Sequence, residues 1–280
     1  MVRAGVSTTA VADWFGGAGR VMFVHAHPDD ETITTGGTLA ALAEAGREPL
    51  VVTLTRGERG EVVPGPLAHL EGTDGLAPHR QAELTAALAM LGVERHAFLG
   101  VAPARAEGLP PTIYEDSGMR WLADGLAGPG ADATADALTV VPAVESLTDL
   151  LAAAHDGRAG AIVSYDDGGG YGHPDHVHAH RIARAVAAAL QLPFWEIVAD
   201  PEGADGAASA ADPALATGAA TGATEAHDIT AWLGRKVTAL RAYATQLTVD
   251  GDDIVHVGGQ RQPIATTEVF SLTAPPEPVA

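Results

Sequence analysis

The chain has 280 residues, of which 46% are hydrophobic and 19% charged, enough for a sizeable buried core in one large or two modest domains. Its 36 acidic against 16 basic residues leave a net charge of −20, which disfavours nucleic acid and anionic membrane as partners. It has no cysteine, so disulfides, thiolate metal sites and cysteine nucleophiles are excluded, and any metal must be held by His and carboxylate. Met1 to Arg20 lacks a basic stretch followed by an apolar run, and no 18-residue apolar segment occurs. No signal peptide or membrane span is therefore expected, and a cytoplasmic location is the default.

In chain order, Val21 to Val24 is a short apolar run of the kind that forms a strand. Thr38 to Ala45 reads as a helix stopped by Gly46, and Leu50 to Thr55 as a second strand. Arg56 to Pro78, rich in Gly and Pro, reads as a loop. A helix is expected over His79 to Leu91, a strand over Arg95 to Leu99, and a helix over Thr139 to Ala154, broken near Pro142 or starting after it. Gly160 to Tyr165 is the next strand, Val177 to Leu190 an Ala-rich helix, and Pro193 to Val198 a further strand.

Residues 201–226 are almost entirely Ala, Gly, Asp, Thr and Pro, the composition of a flexible insertion. A helix is expected around Ile229 to Leu247, and one or two strands over Ile254 to Leu272. Alternating strands and helices predict an α/β fold, a Rossmann-like and mostly parallel sheet flanked by helices. The expected division is a catalytic core over 1–200, the insertion, and a C-terminal part over 227–280 that completes the same domain.

Two stretches carry the chemistry: His25-Ala26-His27-Pro28-Asp29-Asp30-Glu31 and Gly170-Tyr171-Gly172-His173-Pro174-Asp175-His176. Each follows an expected strand, where open α/β sheets place their binding crevice. Catalytic zinc takes three protein ligands and keeps one position open. His27 and Asp30 can converge from one turn stiffened by Pro28, leaving Asp29 to act as general base. The second stretch offers His173 and His176. If His176 completes the metal shell, His173 stays free to stabilise an oxyanion or protonate an amine, with Asp175 to orient it, while Tyr171 donates a hydrogen bond. Such a set points to metal-assisted hydrolysis.

His25 is expected to be structural and directed away from His27, and His178 and His180 to lie outside the ligand set. Gly168-Gly169-Gly170 lacks the Lys and Ser/Thr of a phosphate loop and more readily serves close backbone approach.

These two stretches resemble the PIG-L/LmbE family of zinc-dependent de-N-acetylases. Further likeness lies in Thr55-Arg56-Gly57-Glu58-Arg59-Gly60-Glu61, in Arg80 to Leu88, in Glu115-Asp116-Ser117-Gly118-Met119 and in Val177-His178. The resemblance runs from about Val21 to Arg184. It implies zinc (or iron(II)) held by His27, Asp30 and His176, with Asp29 as general base. His173 would be the acid or electrostatic partner, and Tyr171 an oxyanion helper. Arg80 and Asp116, with Glu61 and Met119 nearby, would hold an amino-sugar inositol substrate. Within the family, Gly172 before His173 and the absence of Lys over Thr32 to Thr35 favour the deacetylase of N-acetylglucosaminyl-inositol over the related amidase of mycothiol conjugates. A non-catalytic sugar- or metal-binding role is disfavoured, because a binding module needs no base like Asp29 beside its metal.

Overall fold

The protein is described from a computed structural model, over residues 10–121, 127–131, 133–198 and 223–273. Its centre is a seven-stranded sheet in the order β3-β2-β1-β6-β7-β12-β8. The strands β1 (Val21–His25), β2 (Leu50–Thr53), β3 (Arg95–Phe98), β6 (Ala161–Tyr165) and β7 (Phe194–Val198) are mutually parallel. The short pair β4 (Arg120–Trp121) and β5 (Ala127–Gly128) stands apart. β12 (Thr267–Thr273) pairs antiparallel with both β7 and β8 (Thr224–Asp228). A separate antiparallel sheet joins β9 (Leu247–Asp250), β10 (Asp253–His256) and β11 (Arg261–Pro263).

The helices are α1 (Asp30–Glu44), α2 (Leu76–Leu91), α3 (Ala143–Asp156), the single turn α4 (Gly169–Gly172), α5 (Pro174–Leu190) and α6 (Leu233–Leu240). They form two layers, because each inner strand is buried on both faces. On β1, Val21 and Phe23 join a core with Leu39, Leu42, Leu84 and Leu240 from α1, α2 and α6. Met22 and Val24 join the opposite core with Leu150, Ile182 and Val186 from α3 and α5. This alternation is the period-two geometry of a strand. No helix among the described residues is long and apolar enough to cross a membrane.

The expected parallel α/β sheet is present, with several changed boundaries. α1 begins at Asp30 rather than Thr38, inside the first histidine stretch. Its threonines and Gly36-Gly37 argue against helix by propensity. Tertiary packing overrides them: a Cβ on Gly37 would lie 2.4 Å from the Ile229 Cβ, so only glycine lets Ile229 seat on the helix. α5 likewise starts at Pro174, with Pro in the first turn and His173 as N-cap. α6 covers only Leu233–Leu240, since the chain turns at Tyr243 and enters β9 at Leu247. Three strands, not one or two, follow Asp253. Thr224 to Ala226, expected within the insertion, belong to β8; residues 201–222 lie outside the described residues.

Candidate active site

Strand order reverses between β1 and β6: β2 and β3 lie to one side, β7 to the other. The carboxyl ends of these two neighbours are the switch point where such sheets bind ligands. Beyond β1 the chain turns through His27-Pro28-Asp29 into α1, and beyond β6 it passes through α4 into α5. Each histidine stretch is thus a strand-to-helix turn.

Three donor atoms meet there. His27 Nδ1 lies 3.3 Å from Asp30 Oδ2, His176 Nε2 lies 3.4 Å from the same oxygen, and the two nitrogens are 3.3 Å apart. A tetrahedral ion bound at about 2.0–2.1 Å separates neighbouring donors by roughly 3.3–3.4 Å, so the triangle fits one face of such a site. The other ring nitrogens are engaged: His27 Nε2 faces Asp175 Oδ2 at 3.2 Å, and His176 Nδ1 faces the Gly169 carbonyl at 3.2 Å. Protons on those outer nitrogens leave the inner lone pairs directed into the triangle. His173 also brings a ring nitrogen within 4.8 Å of His27 and His176, and Asp116 and Asp175 gather on the other side of His27.

The triangle is tightly supported. Asp30 Oδ2 accepts from the His27 backbone N–H at 2.9 Å and from the Tyr165 hydroxyl at 2.7 Å. The Tyr165 ring stacks on His176, with centroids 4.1 Å apart. Burial opposes ionisation of Asp30, but His176 and His27 outweigh it and hold its carboxyl well below the usual range. Burial opposes protonation of His27, and Asp116, Asp175 and Asp30 outweigh it in turn. That surplus of negative charge is the field a divalent cation requires.

Asp29, the N-cap of α1, has φ 113° and ψ −35°, a conformation that L-residues adopt at a cost of about 1–3 kcal/mol. Burial and then Asp30 raise its pKa well above the carboxylate range, against the opposing pull of Arg80. His173 accepts the Asp175 backbone N–H at its Nδ1, at 3.2 Å. Its remaining nitrogen, Nε2, then carries the proton. Burial, with His27 and His176 nearby, lowers its pKa to about 2, so the ring is neutral. The Tyr171 ring lies 6.0 Å from His173 and 5.2 Å from His176 at steep angles, half exposed at 51%. Burial of its hydroxyl, then Asp30, pushes its pKa up, and the phenol stays protonated.

Asp175 differs from expectation. Its carboxylate accepts from His27 Nε2 and from the Ser117 N–H at 2.9 Å; only its backbone amide meets His173. It orients the candidate ligand His27, because the helix that follows His173 turns the side chain of residue 175 inward. Arg80 and Asp116 are almost fully buried beside the site. The Arg80 guanidinium donates to the carbonyls of Gly57 and Glu61, and Asp116 accepts from the Gly118 N–H at 2.8 Å and lies 3.7 Å from His27. Glu61 and Met119 are exposed farther out.

His25 sits against α1 with its Nε2 3.2 Å from Thr35 Oγ1. Strand parity alone would put it on the His27 side; β1 ends at His25, and the turn separates the two rings. His178 pairs with Ser146 at 2.9 Å, and His180 with the Tyr165 carbonyl at 2.9 Å, both away from the triangle. Gly169, at φ 64°, allows close approach to His176: a Cβ there would lie 2.8 Å from Val177 N. Sequence reasoning missed Tyr165, whose only signal is an aromatic hydroxyl at the end of β6. It also missed Glu58, which accepts the Asp116 N–H at 3.0 Å and joins the two loops over the site.

Three donor atoms spaced so that they could hold a metal, at the switch point of a parallel sheet, are the arrangement a metal-dependent hydrolase requires. The chain belongs to the PIG-L family, GlcNAc-PI de-N-acetylase, whose family model matches residues 22–187. It is similar over most of its length to proteins named 1D-myo-inositol 2-acetamido-2-deoxy-alpha-D-glucopyranoside deacetylase. The one from Kineococcus radiotolerans is 38% identical over 286 residues, covering 90% of this chain and 77% of its own. The one from Mycolicibacterium vanbaalenii is 38% identical over 275 residues, covering 91% of each chain. Among solved structures, N,N'-diacetylchitobiose deacetylase from Pyrococcus horikoshii shares the fold at 20% identity, with a TM-score of 0.54 over 83% of this chain and 72% of that one. A zinc-inhibited form of teicoplanin deacetylase does so at 18% identity, with a TM-score of 0.57 over 91% and 98%.

Proposed function

We propose that this chain hydrolyses the N-acetyl amide of 1-O-(2-acetamido-2-deoxy-α-D-glucopyranosyl)-1D-myo-inositol, releasing acetate and the free amine for mycothiol biosynthesis. The observation that carries the chemistry is the triangle of His27 Nδ1, Asp30 Oδ2 and His176 Nε2 with Asp29 beside it. The relatives that match along the chain supply the substrate.

His27, Asp30 and His176 would hold the metal, and their nitrogen and carboxylate donors suit zinc while also accepting iron(II). An ion held there would supply Lewis acidity for the acetamide carbonyl and for the attacking water. Asp29 takes the proton of the attacking water on its carboxylate. The proton it takes is then passed to the departing nitrogen. His173 offers its neutral Nε2–H to the developing oxyanion, a role its tautomer supports better than that of a proton donor. Tyr171 adds a phenolic O–H from the mouth of the site. Asp175 keeps the His27 ring oriented. Asp116 and Arg80 form the buried wall toward the sugar hydroxyls, and Glu61 and Met119 the outer rim.

Release of the free glucosaminyl-inositol amine, the product common to both reactions, measured for the zinc-loaded protein on N-acetylglucosaminyl-inositol and on a mycothiol S-conjugate, tests this. Faster turnover of the first is expected. Equal or faster cleavage of the conjugate overturns the substrate assignment.

A further inference from the structure

We propose that Glu31 and Tyr243 are a positioning pair that holds the base Asp29 in its working conformation, an inference that rests on the deacetylase reading for Asp29.

Asp29 is the reacting residue with the least comfortable backbone, at φ 113° and ψ −35°. A side-chain-bearing residue stays in such a region only when its surroundings over-determine it. Its carbonyl is fixed by the first turn of α1, accepting from Thr32 N at 3.0 Å and Ile33 N at 2.9 Å. That helix end alone does not demand a positive φ, since an ordinary N-cap residue is extended. The other half of the peptide geometry is held by Glu31, whose Oε2 accepts the Asp29 N–H at 3.2 Å. A carboxylate two residues on thus grips the amide of the strained residue.

Glu31 could not do this if its own side chain were free to turn. Its second oxygen accepts from the Tyr243 hydroxyl and the Thr32 hydroxyl, and Glu31 and Tyr243 are both fully buried. Tyr243 lies 212 residues away, in the turn between α6 and β9. That turn is itself pinned: Glu83 on α2 accepts from Thr245 N at 2.8 Å and Thr245 Oγ1 at 2.6 Å. A chain of contacts therefore runs from α2 through the C-terminal turn to the Asp29 amide. Neither member of the pair contributes an atom to the metal triangle, and both are shielded from substrate. Their route to the reaction is through the placement of the Asp29 carboxylate, where a shift of about 1 Å is enough to cost up to 100-fold in rate.

Tyr243→Phe keeps the ring and removes only the hydroxyl; Glu31→Gln keeps the shape and removes one acceptor. Zinc-loaded Tyr243→Phe is expected to lose about 10- to 100-fold in kcat, with KM within about twofold and zinc content unchanged. In an Asp29→Asn background the same substitution should change the residual rate by less than about twofold, because the group being positioned is already gone. A Tyr243→Phe protein with lowered Tm but normal kcat overturns the proposal, and so does an equal loss of rate in both backgrounds. If Glu31→Gln does not fold, Tyr243→Phe carries the test. If the wild-type protein releases no acetate, the deacetylase reading fails separately. The pair is then judged by a crystal structure of Tyr243→Phe: relaxation of Asp29 to negative φ supports the positioning role, and an unchanged φ overturns it.

Discussion

Nε2 of His27 lies 3.2 Å from Oδ2 of Asp175, joining residues 148 positions apart into a carboxylate–histidine pair behind the candidate metal face. Such a partner fixes the tautomer of the ligand and strengthens its donor nitrogen. Asp175→Asn should weaken zinc affinity by about 10–100-fold while leaving the fold intact. Chelator competition measures this, and an unchanged affinity would detach Asp175 from the metal.

Asp29 bears on chemistry and not on binding of the ion. Asp29→Asn should lower kcat by about 10²- to 10⁴-fold with metal content unchanged. Steady-state kinetics paired with metal analysis decide this, and near-normal turnover would remove the base from Asp29.

The second histidine stretch makes a comparison within one helix. His176→Ala should lose the metal on gel filtration against dilute chelator, because one vertex of the triangle is gone. His178→Ala should keep it, since His178 faces Ser146. Retained metal in the first protein, or lost metal in the second, would redraw the ligand set.

Lys236, the chain's single lysine, is buried with its Nζ 2.8 Å from Glu268 Oε1, and Glu268 also accepts from the Gly37 and Thr38 amides at 2.9 and 2.8 Å. Lys236→Met strands a buried carboxylate and should cost about 3–5 kcal/mol of stability. Adding Glu268→Gln should recover part of that loss. Urea unfolding of the single and double variants tests both statements.

His96 on edge strand β3 bonds Thr53 Oγ1 at 3.1 Å. Burial, then Arg56, lowers its pKa from 6.5 to about 4. The unfolded chain takes up this proton below about pH 6.5 and the folded chain does not until about pH 4, so protonation favours unfolding in between. Stability should be full above pH 6.5 and fall by roughly 1–3 kcal/mol towards pH 4. His96→Gln should flatten that limb; an unchanged slope would show that His96 does not cause it.

The site was legible to the extent that its chemistry is local. His27, Asp30 and His176 converge because each strand-to-helix turn is a few residues long, and the short apolar runs before them mark β1 and β6. What stayed hidden depends on distance in sequence. The early start of α1 was masked by threonines and glycines that exist to receive Ile229 and Lys236. The carboxylate of Asp175 was expected at its near neighbour His173, yet it crosses to His27, because helix geometry directs it inward. Tyr165 and Tyr243 carry no motif of their own, and Glu31 closes the first histidine stretch without showing a role; hydroxyls and carboxylates acquire meaning here only from what they face.

The grip of β12 on α1 has a consequence for synthesis. Glu268 clasps the middle of the helix whose first turn carries Asp29 and Asp30, and Tyr243 arrives almost as late. Both histidine stretches leave the ribosome long before these anchors exist. A nascent chain therefore carries both stretches before Glu268 and Tyr243 exist to brace them, and β12 must take its place between β7 and β8 for Glu268 to reach the amides of Gly37 and Thr38.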